Sequence, residues 1–256
     1  MDERMADSGG AEGLVAYADH EKTALGVYAG LIVKRDRLLH DLAMHGKDMG
    51  ISVVCAPRGF GVSALLRQYV SVVQSDPARG AATYLDVARL DCAGVIEAME
   101  AACKAMPAGS HPLLALDHLP RFDRDASERI ASTLRALREH DVEAVVGCVP
   151  IARPFMQAMG DAHKVSAQHL LVRPDEYRAW ARAFALSPAL DVYELTRGVP
   201  ALVALLERCV GREPGYEALD AGTAEILSDA LVQMRSARDP LYRIASLMVL
   251  TGSGAL

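Results

Sequence analysis

The residues best placed to do chemistry lie in one stretch, Ile51 to Gln68, ISVVCAPRGFGVSALLRQ. A short apolar run, a glycine-containing loop and the opening turns of a helix follow one another there. Backbone N–H groups in such a loop, with a helix N-terminus behind them, surround an anion. Against the phosphate-loop pattern G-x-x-x-x-G-K-[ST], the stretch offers Ala56, then Pro57, Arg58, Gly59 and Phe60, then Gly61, Val62 and Ser63, with Ala64 continuing the helix. Alanine for the first glycine is a mild change. Valine for the lysine is not, because it removes the charge that reaches the β- and γ-phosphates. The loop is expected to keep its shape and to have lost part of its chemistry.

A nucleotide site of this kind needs a second element, an apolar strand ending in an acid. Leu113-Leu114-Ala115-Leu116-Asp117 supplies one. A carboxylate there would stand beside the loop and share Mg²⁺ with the hydroxyl of Ser63. The next position, where a second acid often orients the attacking water, is His118. Histidine is a base in principle, but loss of the hydrolytic group is the simpler reading. Plainer roles exist for each of these residues. Gly59 and Gly61 would serve any tight strand-to-helix turn, Ser63 a helix N-cap, and Asp117 a cap for the following helix. Arg58 is either a solvated arginine or a partial substitute for the lysine.

These residues need a framework, and the rest of the chain supplies it. The 256 residues are 51% hydrophobic, enough for one large domain with a small helical appendage. A net charge of −6 argues against broad nucleic-acid or anionic-membrane binding by this segment. Cys55, Cys92, Cys103, Cys148 and Cys209 are scattered without a C-x-x-C, so buried free thiols are expected, with no zinc or haem site. His111, His118, His140 and His163 are too dispersed to suggest a metal centre. No signal peptide or membrane span is visible, and a cytoplasmic protein is expected.

In chain order, a polar tail and a loose helix occupy residues 1–30. Helical spacing over Leu31–Met44 puts Leu38, Leu39 and Leu42 on one face, and Gly46 and Gly50 bracket a turn. Strands are expected at Ile51–Cys55, Ala82–Val87, Leu113–Leu116, Val142–Cys148 and Gln168–Val172. Helices are expected from the loop to about Ser75, over Asp91–Met106 and over Ser127–His140. Short apolar strands alternating with helices predict a parallel sheet sandwiched by helices. From Pro174 the pattern is helical only, with candidates at Asp175–Ala185, Ala189–Thr196, Val199–Val210, Ala221–Arg235 and Asp239–Leu250. Trp180 is expected to pack between this part and the core. The ending, Thr251 to Leu256, is that expected of a partial module.

Taken in order, several segments resemble the P-loop ATPase domains of the signal-transduction (STAND) branch of the AAA+ superfamily, above all the ATPase module of large LuxR-type transcriptional regulators. Val33 to Leu39 is similar to the arginine-led helix before the first strand, and Ala56 to Gly61 to the A-P-x-G-[FY]-G loop. Tyr84-Leu85-Asp86 with Asp91 resembles the strand after the loop helix, Leu116-Asp117 the metal-binding strand, and Val145 to Pro154 the sensor strand with its following segment. Gly198-Val199-Pro200 looks like the G-x-P motif, whose proline packs near bound nucleotide; Pro200 also suits any first helical turn. The likeness covers residues 31–210. It implies an ATP/ADP-dependent switch with Mg²⁺, a helical lid and a following winged-helix domain. Val62 and His118 depart from the family, and Cys148 stands where a polar or arginine sensor is often found, leaving Arg153 nearest.

The expected architecture is thus a P-loop NTPase-like α/β domain over 31–173, followed by a helical lid over 174–256 that includes a possible winged-helix start. The expected function is a degenerate nucleotide-binding signalling module with little or no hydrolysis. Its partners would be nucleotide, other protein domains or a second copy, with no direct nucleic-acid contact. Two alternatives stay open: a nucleotide-free scaffold of a transcriptional regulator, or an active ATPase using a displaced cation such as Arg58 or Lys34.

Overall fold

The computed structural model describes residues 34–77, 79, 81–107, 111–183, 196–201 and 203. The helices expected at Leu14–Gly30, Ala221–Arg235 and Asp239–Leu250, most of those at 189–196 and 199–210, Cys209 and the packing of Trp180 lie outside these residues or their described side chains.

Five strands form one parallel sheet: β1 Ile51–Cys55, β2 Ala82–Asp86, β3 Leu113–Leu119, β4 Glu143–Cys148 and β5 His163–Ser166, in the order β2-β3-β4-β1-β5. The helices are α1 Asp36–Met49, α2 Val62–Gln74, α3 Cys92–Ala105, α4 Arg124–Glu139, α5 Arg153–Ala158, α6 Ala167–Leu170 and α7 Pro174–Ala183. Side chains alternate across each strand, so the central strands feed two cores. Val53, Leu114, Leu116 and Val146 pack with Val95, Met99, Ile130, Leu134 and Phe155. Val54, Leu113, Ala115 and Val145 pack on the other face with Leu38, Leu42, Leu65, Leu66, Tyr69 and Leu170. Burial on both faces explains why these strands are nearly all apolar. This is the P-loop NTPase α/β arrangement, a parallel sheet sandwiched by helices.

Several boundaries differ from the sequence expectation. The fifth strand is His163–Ser166, and the segment expected as strand at Gln168–Val172 instead begins inside α6. The cause is local: Ser166 and His169 form a reciprocal capping box that starts a helix. The first helix starts at Asp36 and runs through Gly46, which is no turn; a Cβ there would lie 2.1 Å from Glu143 Oε1. Gly50, at φ 70°, ends the helix instead. Helix α4 starts at Arg124, three residues upstream of the expected start, and Asp123 caps it, so Asp117 is not that helix's cap. Helix α5, with Pro154 in its first turn, lies in the segment read only as following a sensor strand. Among the described residues, the cysteines are free as expected, but only Cys148 is fully buried.

Candidate functional site

The carboxyl ends of the parallel strands form one edge of the sheet, where α/β folds bind ligands. The residues singled out in the sequence meet there. Ala56, at the end of β1, is buried and donates its N–H to the Cys148 carbonyl at the end of β4, 3.2 Å away. The chain then turns through Gly59 (φ 86°) and Gly61 (φ 79°), left-handed conformations that glycine adopts without steric cost. Gly61 is the N-cap of α2, with no side-chain cap bond, so Ser63 is not the cap; it stands in the first turn. Among the described residues, the N–H groups of Gly59, Gly61, Val62 and Ser63 have no protein acceptor, while Phe60 closes a tight turn over Arg58 and Gly59. Such a row of amides at a helix N-terminus suits a phosphate. Arg58 is exposed on the loop, and Phe60 packs partly against the α1–α2 core.

Val62, in the lysine position, turns its isopropyl group into the protein. A Cβ placed on Gly147 of β4 would lie 2.8 Å from Val62 Cγ1 and 2.7 Å from Asp117 Oδ1. Valine and carboxylate are therefore neighbours over one glycine. Asp117 is 1% exposed, and both its oxygens are in use. Oδ1 accepts from the His118 N–H at 2.8 Å, and Oδ2 from the Tyr84 hydroxyl at 2.6 Å. Burial and the adjacent carboxylate push the Tyr84 phenol well above its ordinary pKa, which keeps it a donor. The Arg67 guanidinium lies 5.2 Å over the Tyr84 ring.

His118 is the residue that joins the site together. Its φ of 57° interrupts the β3–β4 register between Leu116 and Leu119, and its ring reaches three groups. Nε2 lies 3.1 Å from Ser63 Oγ and 3.8 Å from Asp117 Oδ2, and Nδ1 lies 3.2 Å from Asp86 Oδ1. Partial burial raises the Asp86 carboxyl, but the Ala88 N–H and the His118 ring outweigh it and hold it below the usual range.

Mg²⁺ needs convergent oxygens with open lone pairs. Each Asp117 oxygen accepts one protein donor and keeps a lone pair. The obstacle to Mg²⁺ is the His118 ring, whose Nε2 engages the Ser63 hydroxyl and stands between the two groups that would share the ion. The sequence placed Asp117 beside the loop to share an ion with Ser63, and His118 next to it; it held no sign of the His118 ring standing between them or of Tyr84 as the carboxylate's partner.

The last feature comes from the distant Gly198-Val199-Pro200 segment. Ala201 donates its N–H to the Gly59 carbonyl at 2.9 Å, and a Cβ on Gly61 would lie 3.8 Å from Pro200 Cβ. The segment sits on the loop itself. Cys148, at the end of β4, touches Met156 Sδ through its thiol at 3.8 Å, and its neighbour Cys55, with burial, raises its pKa strongly. It offers no cation to the site.

No protein-family model and no curated protein matches the chain. Among solved structures it is similar to a Walker-type ATPase of Pyrococcus abyssi, at 11% identity over 85% of this chain and 77% of that one, with a TM-score of 0.48. It is similar also to AMPPCP-bound DnaA from Aquifex aeolicus (14% identity, 80% and 70% coverage, TM-score 0.45). A Thermotoga maritima RuvB variant gives 13% identity, 86% and 82% coverage and a TM-score of 0.48. Identities and scores this low describe a likeness of chain path, and the function must be read from the residues of the site.

Proposed function

We propose that this chain is a degenerate P-loop module that holds ATP or ADP through backbone amides, hydrolyses it poorly or not at all, and acts as a signalling or regulatory domain. The observation that carries this reading is the pairing of an intact loop with altered chemistry. Four loop amides lack a protein acceptor, while Val62 lies apolar beside Asp117 and His118 links Ser63 to that carboxylate. Losing a charged contact to phosphate costs about 1.5–3 kcal/mol, roughly tenfold to a hundredfold in affinity. Transition-state charge on the phosphoryl group loses its partner as well. A LuxR-type regulator is the setting suggested by the motif order.

A second reading, a nucleotide-free scaffold, is favoured by the hydrogen bond from Ala201 to Gly59 and the closeness of Pro200 to Gly61, which together shut one side of the loop. Calorimetric titration with ATP and ADP of this chain and of Val62→Lys separates the two. Under the nucleotide reading both proteins bind, the variant about tenfold to a hundredfold more tightly. Binding by neither protein would establish the closed scaffold.

A further inference from the structure

At the amino ends of β1 and β5, opposite the loop, three metal-ligating side chains meet. Asp41 and His45 stand one turn apart on α1 and face the same way. His163 opens β5, in register with Ser52 of β1. Asp41 Oδ1 lies 3.3 Å from His45 Nδ1, and Asp41 Oδ2 lies 3.4 Å from His163 Nε2. The two imidazoles are stacked, with centroids 3.8 Å apart, and the three ligand atoms all lie within 4.8 Å of one another.

We propose that Asp41, His45 and His163 bind one divalent transition-metal ion of the zinc class, with water completing the shell. Two imidazole nitrogens and a carboxylate are a donor set such ions favour over Mg²⁺ or Ca²⁺. Ligands about 2.0–2.1 Å from a tetrahedral ion stand roughly 3.3 Å apart. His45 Nδ1 lies near that distance from Asp41 Oδ1 and His163 Nε2 from Oδ2, so the carboxylate reaches the two nitrogens through different oxygens. The remaining nitrogen of His163, Nδ1, lies 3.3 Å from the hydroxyl of fully buried Ser52. That is the outer partner that fixes a ligating ring and aims its other nitrogen.

Binding asks for one rearrangement. The parallel rings must splay so that their lone pairs converge, and His45 Nδ1 must give up its 2.9 Å contact with the Asp41 carbonyl. Asp41 and His45 are partly exposed, which leaves room for both changes. The ion would clip α1 to the edge strand β5, away from the phosphate loop. Spacing along the sequence could not show this site, because its ligands come from a helix and a strand at opposite ends of the domain.

The test is titration of the metal-stripped full chain with Co²⁺, followed by visible absorbance. The expected result is one equivalent with tetrahedral d–d bands, no thiolate charge-transfer band, and a thermal midpoint that rises with Co²⁺ or Zn²⁺ by mass action. His163→Ala and the exposed-helix variant His45→Ala should each abolish that saturable binding. Ser52→Ala should weaken it about tenfold through the aim of the ring. Absence of saturable binding, a thiolate band, or binding that survives in a folded His45→Ala protein would overturn the proposal.

Discussion

At the scale of single residues, the candidate site is defined by what replaced the expected groups. Val62 does more than lack a charge; it fills the space beside Gly147 and Asp117 that a lysine stem would cross. His118 holds Ser63 and Asp86 through its two ring nitrogens, from a backbone conformation that non-glycine residues rarely adopt. His118→Gly would suit that φ, free the Ser63 hydroxyl and clear the imidazole from between it and Asp117. The native chain is then expected to bind ATP equally well with and without Mg²⁺. In His118→Gly, Mg²⁺ should improve affinity about tenfold, the worth of one recovered charged contact. Paired calorimetric titrations check this; a native chain that already depends on Mg²⁺ would count against the arrangement described here.

At the scale of elements, the helix–sheet packing at the end of the sheet away from the loop depends on one buried carboxylate. Glu143, the first residue of β4, accepts from the Tyr69 hydroxyl of α2 at 2.6 Å and pairs with Arg79 beyond that helix. Gly46 of α1 leaves room for it. Glu143→Ala would leave a largely buried guanidinium without its partner, at a cost of about 3–5 kcal/mol. Urea denaturation should show that loss as a lower midpoint. Glu143→Gln, which keeps an acceptor, should lose less. Nothing in the strand pattern predicts this network, since Glu143 opens an otherwise apolar run and its partners lie far along the chain.

At the scale of the whole molecule, a line of contacts joins the first helix to the loop. Arg35, just before α1, is 6% exposed and donates to the Leu170 carbonyl at 2.9 Å and the Leu171 carbonyl at 3.1 Å, with Glu176 3.4 Å away. Val172 then donates to the Gly198 carbonyl, and Ala201 to Gly59. Desolvation lowers the Arg35 pKa, which its pairing with Glu176 opposes. Arg35→Ala should cost about 3 kcal/mol in denaturant unfolding, by stripping buried acceptors of their donor. It should also speed amide exchange at Ala201, because the segment that seats on the loop loses its anchor. Arg35→Lys should restore only part, since an ammonium lacks the planar fork that spans two carbonyls.

The sequence by itself determined the alternation of strands and helices, four of the five strands to within a few residues, and the loop with its missing lysine. Those features are written locally, in apolar spacing, glycine positions and turn residues. It marked Ser63, Asp117, His118 and Pro200 as parts of one nucleotide site. Tertiary structure decided how they meet: the bulge at His118 aims its ring between Ser63 and Asp117, and the Pro200 segment returns over Gly61. It also decided the true fifth strand, where the Ser166–His169 capping box outcompeted the apolar run after it. The Asp41, His45 and His163 cluster belongs wholly to this second class. Strand order and helix docking set which distant side chains become neighbours, and no local periodicity carries that information.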